Sequence, residues 1–98
     1  MIVMDPPRPA TFRGKRILTA HMLSTLPGGA GTAELLAFAK KLGMKAEWIQ
    51  HRGGYNEHFD LMGARCQAAK EAGALVDRAV VARTIREKRA ATMSTGSR

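Results

Sequence analysis

One cysteine and five aromatic residues are what this 98-residue sequence has least of, and each scarcity narrows what the chain can be. A lone thiol, Cys66, cannot close an internal disulfide, and no CxxC pair is present to build a zinc or redox site. Long hydrophobic runs are missing as well, since nothing approaches the roughly 20 apolar residues that span a bilayer. The short apolar run Ile2-Val3-Met4 leads straight into Asp5-Pro6-Pro7, which is unlike a secretory leader. These absences predict a cytoplasmic protein with no membrane partner. With so few rings, Phe12, Phe38, Trp48, Tyr55 and Phe59 are expected to account for much of the large-residue packing.

Acid is the other shortage. Sixteen Lys and Arg stand against eight Asp and Glu, a net charge of +8. Arg8, Arg13, Lys15 and Arg16 form one acid-free basic segment, and Arg78, Arg83, Arg86, Lys88 and Arg89, opposed only by Glu87, form another. Residues 17 to 77 hold six bases and six acids, so the middle of the chain is neutral and the excess lies in two flanks.

What is present predicts one small α/β domain over residues 1–90, in two or three layers, with a short mixed sheet and about three helices. A flexible tail follows over 91–98. Ile2-Val3-Met4 reads as a short buried strand with Asp5 at its C-terminal end, and the basic stretch after it as a loop. Ile17 to Leu23 reads as a second strand or an irregular segment carrying His21. After the loop Leu26 to Gly31, Thr32 stands as an N-cap for a helix over 33–42, with Glu34 in its first turn, Lys40 and Lys41 in its last and Gly43 beyond. Ala46–His51 and Tyr55–Leu61 read as a hairpin about Gly53-Gly54. A second helix is expected from Met62 to Ala72, a last strand at Leu75-Val76, and a third helix from Ala79 to Arg89 with Val80, Val81, Thr84 and Ile85 inward.

His58-x-Asp60 is the most suggestive local pattern, because alternate residues on an extended strand face one side and would present an imidazole and a carboxylate together. The same residues would also serve as a helix-start carboxylate and a core-edge histidine. Asp5 and His21 would close a catalytic site if the fold brings them near; alternatively Asp5 is a turn former. His51 across the Gly-Gly turn would place a second ring beside His58, or sit at a solvated loop tip. The His58/Asp60 pair would orient a general base or bind a metal, although ligand number and spacing define no metal site, and the sequence names no cofactor. Gly29, Gly31 and Thr32 before a helix would cradle a phosphate, or simply connect and cap, although the Walker and dinucleotide patterns are absent. Arg65 would pair with Asp60 or clamp an anion. Arg83, Arg86 and Arg89 would line an anion-binding face or merely keep one side of the helix solvated, and Cys66, without a nearby base, reads as a packed thiol.

The opening Met-Ile-Val-Met-Asp-Pro-Pro, His21, Glu34 to Ala39, His58-Phe59-Asp60-Leu61, Arg65 and Gly73-Ala74 appear in an order and spacing that resemble the bacterial and phage family of domain of unknown function 4031. The resemblance runs from Ile2 to about Arg86. It implies a compact α/β domain and marks Asp5, His21, His58, Asp60 and Arg65 as matching the family's polar motifs, while implying no activity. Thr19, Ala20 and Thr25 depart from the pattern, and the glycine-rich loop stands as an insertion.

Three function classes follow. The chain binds a phosphate-bearing ligand, nucleotide or nucleic acid; or it is a small enzyme on such a substrate with a His/Asp site; or it is a phage or bacterial interaction protein that forms a homo-oligomer or seizes a host protein through Met and Val surface.

Overall fold

The structure is a computed structural model and describes residues 1–96. Its elements are β1 (Ile2–Met4), β2 (Arg8–Phe12), β3 (Lys15–Ser24), α1 (Gly28–Lys41), a 3-10 turn (Ala46–Trp48), β4 (Phe59–Met62), α2 (Ala64–Glu71), β5 (Leu75–Val76) and α3 (Arg78–Gly96). The expected mixed sheet with three helices is what forms.

β3 organises the sheet. β1 pairs antiparallel with its inner half, Met22 to Ser24, and β2 with its outer half, Lys15 to Thr19. β4 pairs with Thr19 to Met22 and therefore occupies the opposite edge. β5 joins β1 in parallel. β1 and β2 are in effect one strand broken by a bulge: Asp5, Pro6 and Pro7 face only Ala20 and His21, because proline has no N–H to give the ladder.

Period-2 alternation sorts side chains to two faces. Met4, Ala20, Met22, Phe59 and Leu61 point to the side covered by α1 and α2, where they pack with Leu35, Phe38, Ala39, Cys66 and Ala69. Val3 and Leu23 point to the other side and meet Val81, Val80 and Ile85 of α3. The result is a three-layer α/β/α domain in which each fully buried Leu, Met, Val or Phe contributes about 1.5–3 kcal/mol. Thr84 is buried as well, so the inward face expected of α3 is the one observed.

Several local expectations are corrected. The basic stretch is no loop: Arg8–Phe12 and Lys15–Ser24 form a hairpin around Arg13-Gly14, whose φ values of 52° and 78° suit a two-residue primed turn. Its charge hid its alternation. Residues 46–51 are not a strand, since Ala and Glu fit a pleated surface poorly; Ala46–Trp48 wind into the 3-10 turn, and only Gln50 bridges to His58. α1 starts at Gly28, capped by Pro27, so Thr32 is not the N-cap and Glu34 lies past the first turn. Gly31 explains the early start, because a Cβ there would meet the Leu26 carbonyl oxygen at 2.0 Å. α2 begins only at Ala64, after Gly63 adopts φ 62° and ψ −129°, a conformation open to glycine. Of the expected ring core, Phe38 and Phe59 are buried, but Phe12 and Trp48 are exposed. α3 continues to Gly96 where a tail was expected; Ser97 and Arg98 of that tail lie outside the described residues.

Candidate functional site

Four polar residues from the chain's two halves meet on the α3 side of the sheet. Asp5 leaves β1 at the bulge, opposite His21 of β3. His21 is in turn cross-strand partner to Asp60 of β4, and His58 precedes β4 with its side chain on the face of Asp60. The register of three strands thus assembles a cluster from residues up to 55 positions apart in a 98-residue chain.

The hydrogen bonds fix both imidazoles. His21 Nδ1 lies 2.8 Å from Asp5 Oδ2, which also accepts the His21 backbone N–H at 3.3 Å. His58 Nδ1 lies 2.7 Å from the Asn56 carbonyl oxygen. A carboxylate and a carbonyl can only accept, so each Nδ1 is the donor, which in the neutral ring leaves the lone pair on Nε2. Both Nε2 atoms turn to the same Asp60 Oδ1, at 3.3 Å from His58 and 3.7 Å from His21. The two rings stand edge to face with centroids 5.0 Å apart. His21, His58 and Asp60 each offer one ligand atom, all within 4.8 Å of one another, a group among the described residues that could hold a metal ion.

The cluster lies between two hollows. Asp5, His21 and His58 line one of about 300 Å³, closed by Arg78, Val81 and Ile85 of α3. Asp60 lines the other, about 600 Å³, together with Trp48, Gln50 and Arg65. Trp48 is 42% exposed there. Arg78 is the first residue of α3, whose start is capped by Asp77 through its carboxylate and the Val80 N–H at 3.1 Å.

Asp5, His21, His58 and Asp60 therefore converge. Arg65 does not pair with Asp60: its Nε–H donates to the Leu42 carbonyl at 3.5 Å and its guanidinium lies 5.4 Å from the centre of the Trp48 ring, although both residues border the larger hollow. His51 reaches to 5.9 Å between ring centroids from His58 but stays outside the three-ligand group. Gly29, Gly31 and Thr32 belong to helix α1 itself. The Thr32 hydroxyl donates to Glu57 at 2.6 Å, and that carboxylate, 3% exposed, also accepts the Gly53 N–H, so an acid already holds the donors of this corner. Arg83, Arg86 and Arg89 are exposed on α3, with Arg89 over Tyr55 at 5.8 Å. Cys66 is buried, which pushes its thiol up and away from reactivity.

Two contributors escaped the sequence. Asn56 acts through its backbone carbonyl, which no side-chain pattern reports. Arg78 was visible only as one of several charges, and its place depends on α3 crossing the sheet at His21.

Among the described residues no helix is long and apolar enough to cross a membrane. No curated protein and no solved structure matches the chain. A family model described as "Protein of unknown function (DUF4031)" matches residues 2–91, so the Asp-Pro-Pro bulge, both histidines, Asp60 and α3 as far as Ala91 all fall within the match, and the chain belongs to that family.

Proposed function

We propose that the protein binds a phosphate-bearing ligand, a nucleotide or nucleic acid, and acts on it as a small hydrolase at the Asp5–His21–His58–Asp60 cluster. One observation carries the reading: two imidazoles, each held through Nδ1, bring their Nε2 atoms to 3.7 and 3.3 Å from a single Asp60 carboxylate oxygen. A water held there is oriented and polarised for attack, which is what a hydrolytic centre needs. Asp5 keeps His21 aligned. Arg78, on the wall of the smaller hollow, supplies the positive charge for a phosphate, and Arg65 and Trp48 border the approach from the other side.

The test is hydrolysis of a phosphodiester, a chromogenic ester and a short oligonucleotide, by the full chain and by His21→Ala, His58→Ala and Arg78→Ala. Loss of about 10²–10⁴-fold in kcat for either histidine, with a raised KM for Arg78→Ala, is expected. Equal rates in the wild type and His58→Ala contradict the reading.

A second reading, binding without chemistry, draws on the hairpin, where Arg8, Arg13, Lys15 and Arg16 are all exposed. Salt-sensitive affinity for an oligonucleotide with no turnover supports this reading instead.

A further inference from the structure

We propose that the group formed by His21 Nε2, His58 Nε2 and Asp60 Oδ1 is a binding site for a divalent first-row transition metal. This rests on reading the cluster as one functional centre and says what occupies it.

With both Nδ1 atoms committed as donors, the neutral rings turn their Nε2 lone pairs toward Asp60 Oδ1, at 3.3 Å from His58 and 3.7 Å from His21. Such lone pairs repel unless something positive or donating stands among them. A water has two protons for three acceptors, whereas a cation satisfies all three at once.

The spacing suits an ion. Nitrogen and oxygen ligands bonded at about 2.0–2.2 Å lie roughly 3.0–3.4 Å from one another in octahedral or tetrahedral arrangement. The two distances to Asp60 are within a few tenths of an ångström of that range, and the whole set fits within 4.8 Å.

The surroundings are those of a metal site too. Ligating histidines characteristically give their second ring N–H to a carboxylate or a backbone carbonyl, and here one histidine does each, to Asp5 and to Asn56. Two imidazoles and one carboxylate select a borderline ion such as Zn²⁺, Co²⁺ or Fe²⁺ over Mg²⁺ or Ca²⁺, which prefer oxygen. Three protein ligands leave positions open toward the hollows, where a metal-bound water and a phosphate oxygen would sit. A cation also answers an electrostatic difficulty, because Asp5 and Asp60 would otherwise repel the anionic ligand that Arg78 attracts.

The experiment is a Co²⁺ titration of the untagged full chain, followed by visible absorption, with Zn²⁺ displacement followed by calorimetry. One equivalent of Co²⁺ should give a saturable d–d band that Zn²⁺ abolishes and Mg²⁺ leaves unchanged. The band should be lost in His21→Ala, His58→Ala and Asp60→Asn, each checked for its fold by circular dichroism. Asp5→Asn, which alters only the positioning residue, should weaken binding about 10–100-fold. His51→Ala should bind as the wild type does.

Absence of a saturable band in the wild type, or a band that survives in His58→Ala and Asp60→Asn, overturns the metal site. Stoichiometric Co²⁺ binding without phosphodiester hydrolysis upholds it and removes the hydrolase reading. Hydrolysis that chelation leaves intact, in a protein that binds no Co²⁺, does the reverse.

Discussion

The two halves of β3 are one continuous strand with opposite fates. From Lys15 to Thr19 it is exposed or half-exposed and pairs with the equally open β2. From Ala20 to Ser24 every residue but His21 is buried between helices. The outer half carries charge and has no buried residue; the inner half carries one titratable side chain, His21, placed against Asp5 and Asp60. Charge can act at a distance and tolerates a loose frame, whereas converging lone pairs require a rigid one. The basic excess and the His/Asp cluster thus sit on different mechanical grounds, joined where Arg78 reaches the edge of the cluster.

The largest expected contrast is chemical. His58→Ala should reduce phosphodiester turnover about 10²–10⁴-fold, while removal of Arg8, Arg13, Lys15 and Arg16 together leaves turnover of a small chromogenic ester within a factor of about three. A large loss in the charge variant would erase the distinction between the two halves.

Stability should divide the strand next. Met22→Ala, at a fully buried position, should cost about 2–5 kcal/mol, and Leu18→Ala, at a 47% exposed one, about 0.5 kcal/mol or less, both measured by urea unfolding. Comparable losses would mean that the outer half is packed in solution.

Affinity should reverse the order. For an oligonucleotide, the slope of log K against log salt should flatten by roughly 0.7–0.9 for each hairpin base removed that contacts a phosphate, and Met22→Ala should not change it. An unchanged slope in the quadruple variant would exclude the hairpin from the contact.

The smallest effect concerns the anchor at the inner end. The Met1 amine at 2.8 Å, and after it the Ser24 hydroxyl, hold the Glu34 carboxyl below its ordinary value of 4.5. Its stabilisation is present above the ordinary carboxylate range and is lost as pH falls through the depressed folded value. Glu34→Gln should therefore show a shallower loss of Tm from about pH 6 to about pH 3 than the wild type. An equal or steeper loss in Glu34→Gln would remove this carboxyl from the acid response.

Much of the frame was legible because it depends on local periodicity. The stripe Leu35, Phe38 and Ala39, the glycine after α1, the short β5 and the inward side of α3 follow from spacing alone. That His58 and Asp60 share a face was legible for the same reason. Charge misled at β2, where Arg and Lys occupy strand positions whose neighbours are solvent, so alternation had no apolar signal. Backbone geometry misled at Gly28–Gly31, where glycines that resemble a loop allow a helix to press on the Leu26 carbonyl. Arg65 misled because one turn of separation from Asp60 is only one of its options, and a carbonyl and an indole ring took it instead. The convergence of Asp5 with His21, and of His21 with Asp60, depends on strand register across the bulge, which local pattern does not report.

Two histidines held from behind through Nδ1 turn Nε2 toward Asp60, and imidazole nitrogen resonances report this arrangement. Long-range ¹H–¹⁵N spectra of the wild type at mildly alkaline pH should show His21 and His58 both protonated at Nδ1 and unprotonated at Nε2, with Asp5→Asn disturbing His21 alone. Protonation of either ring at Nε2 with Nδ1 bare would contradict the account.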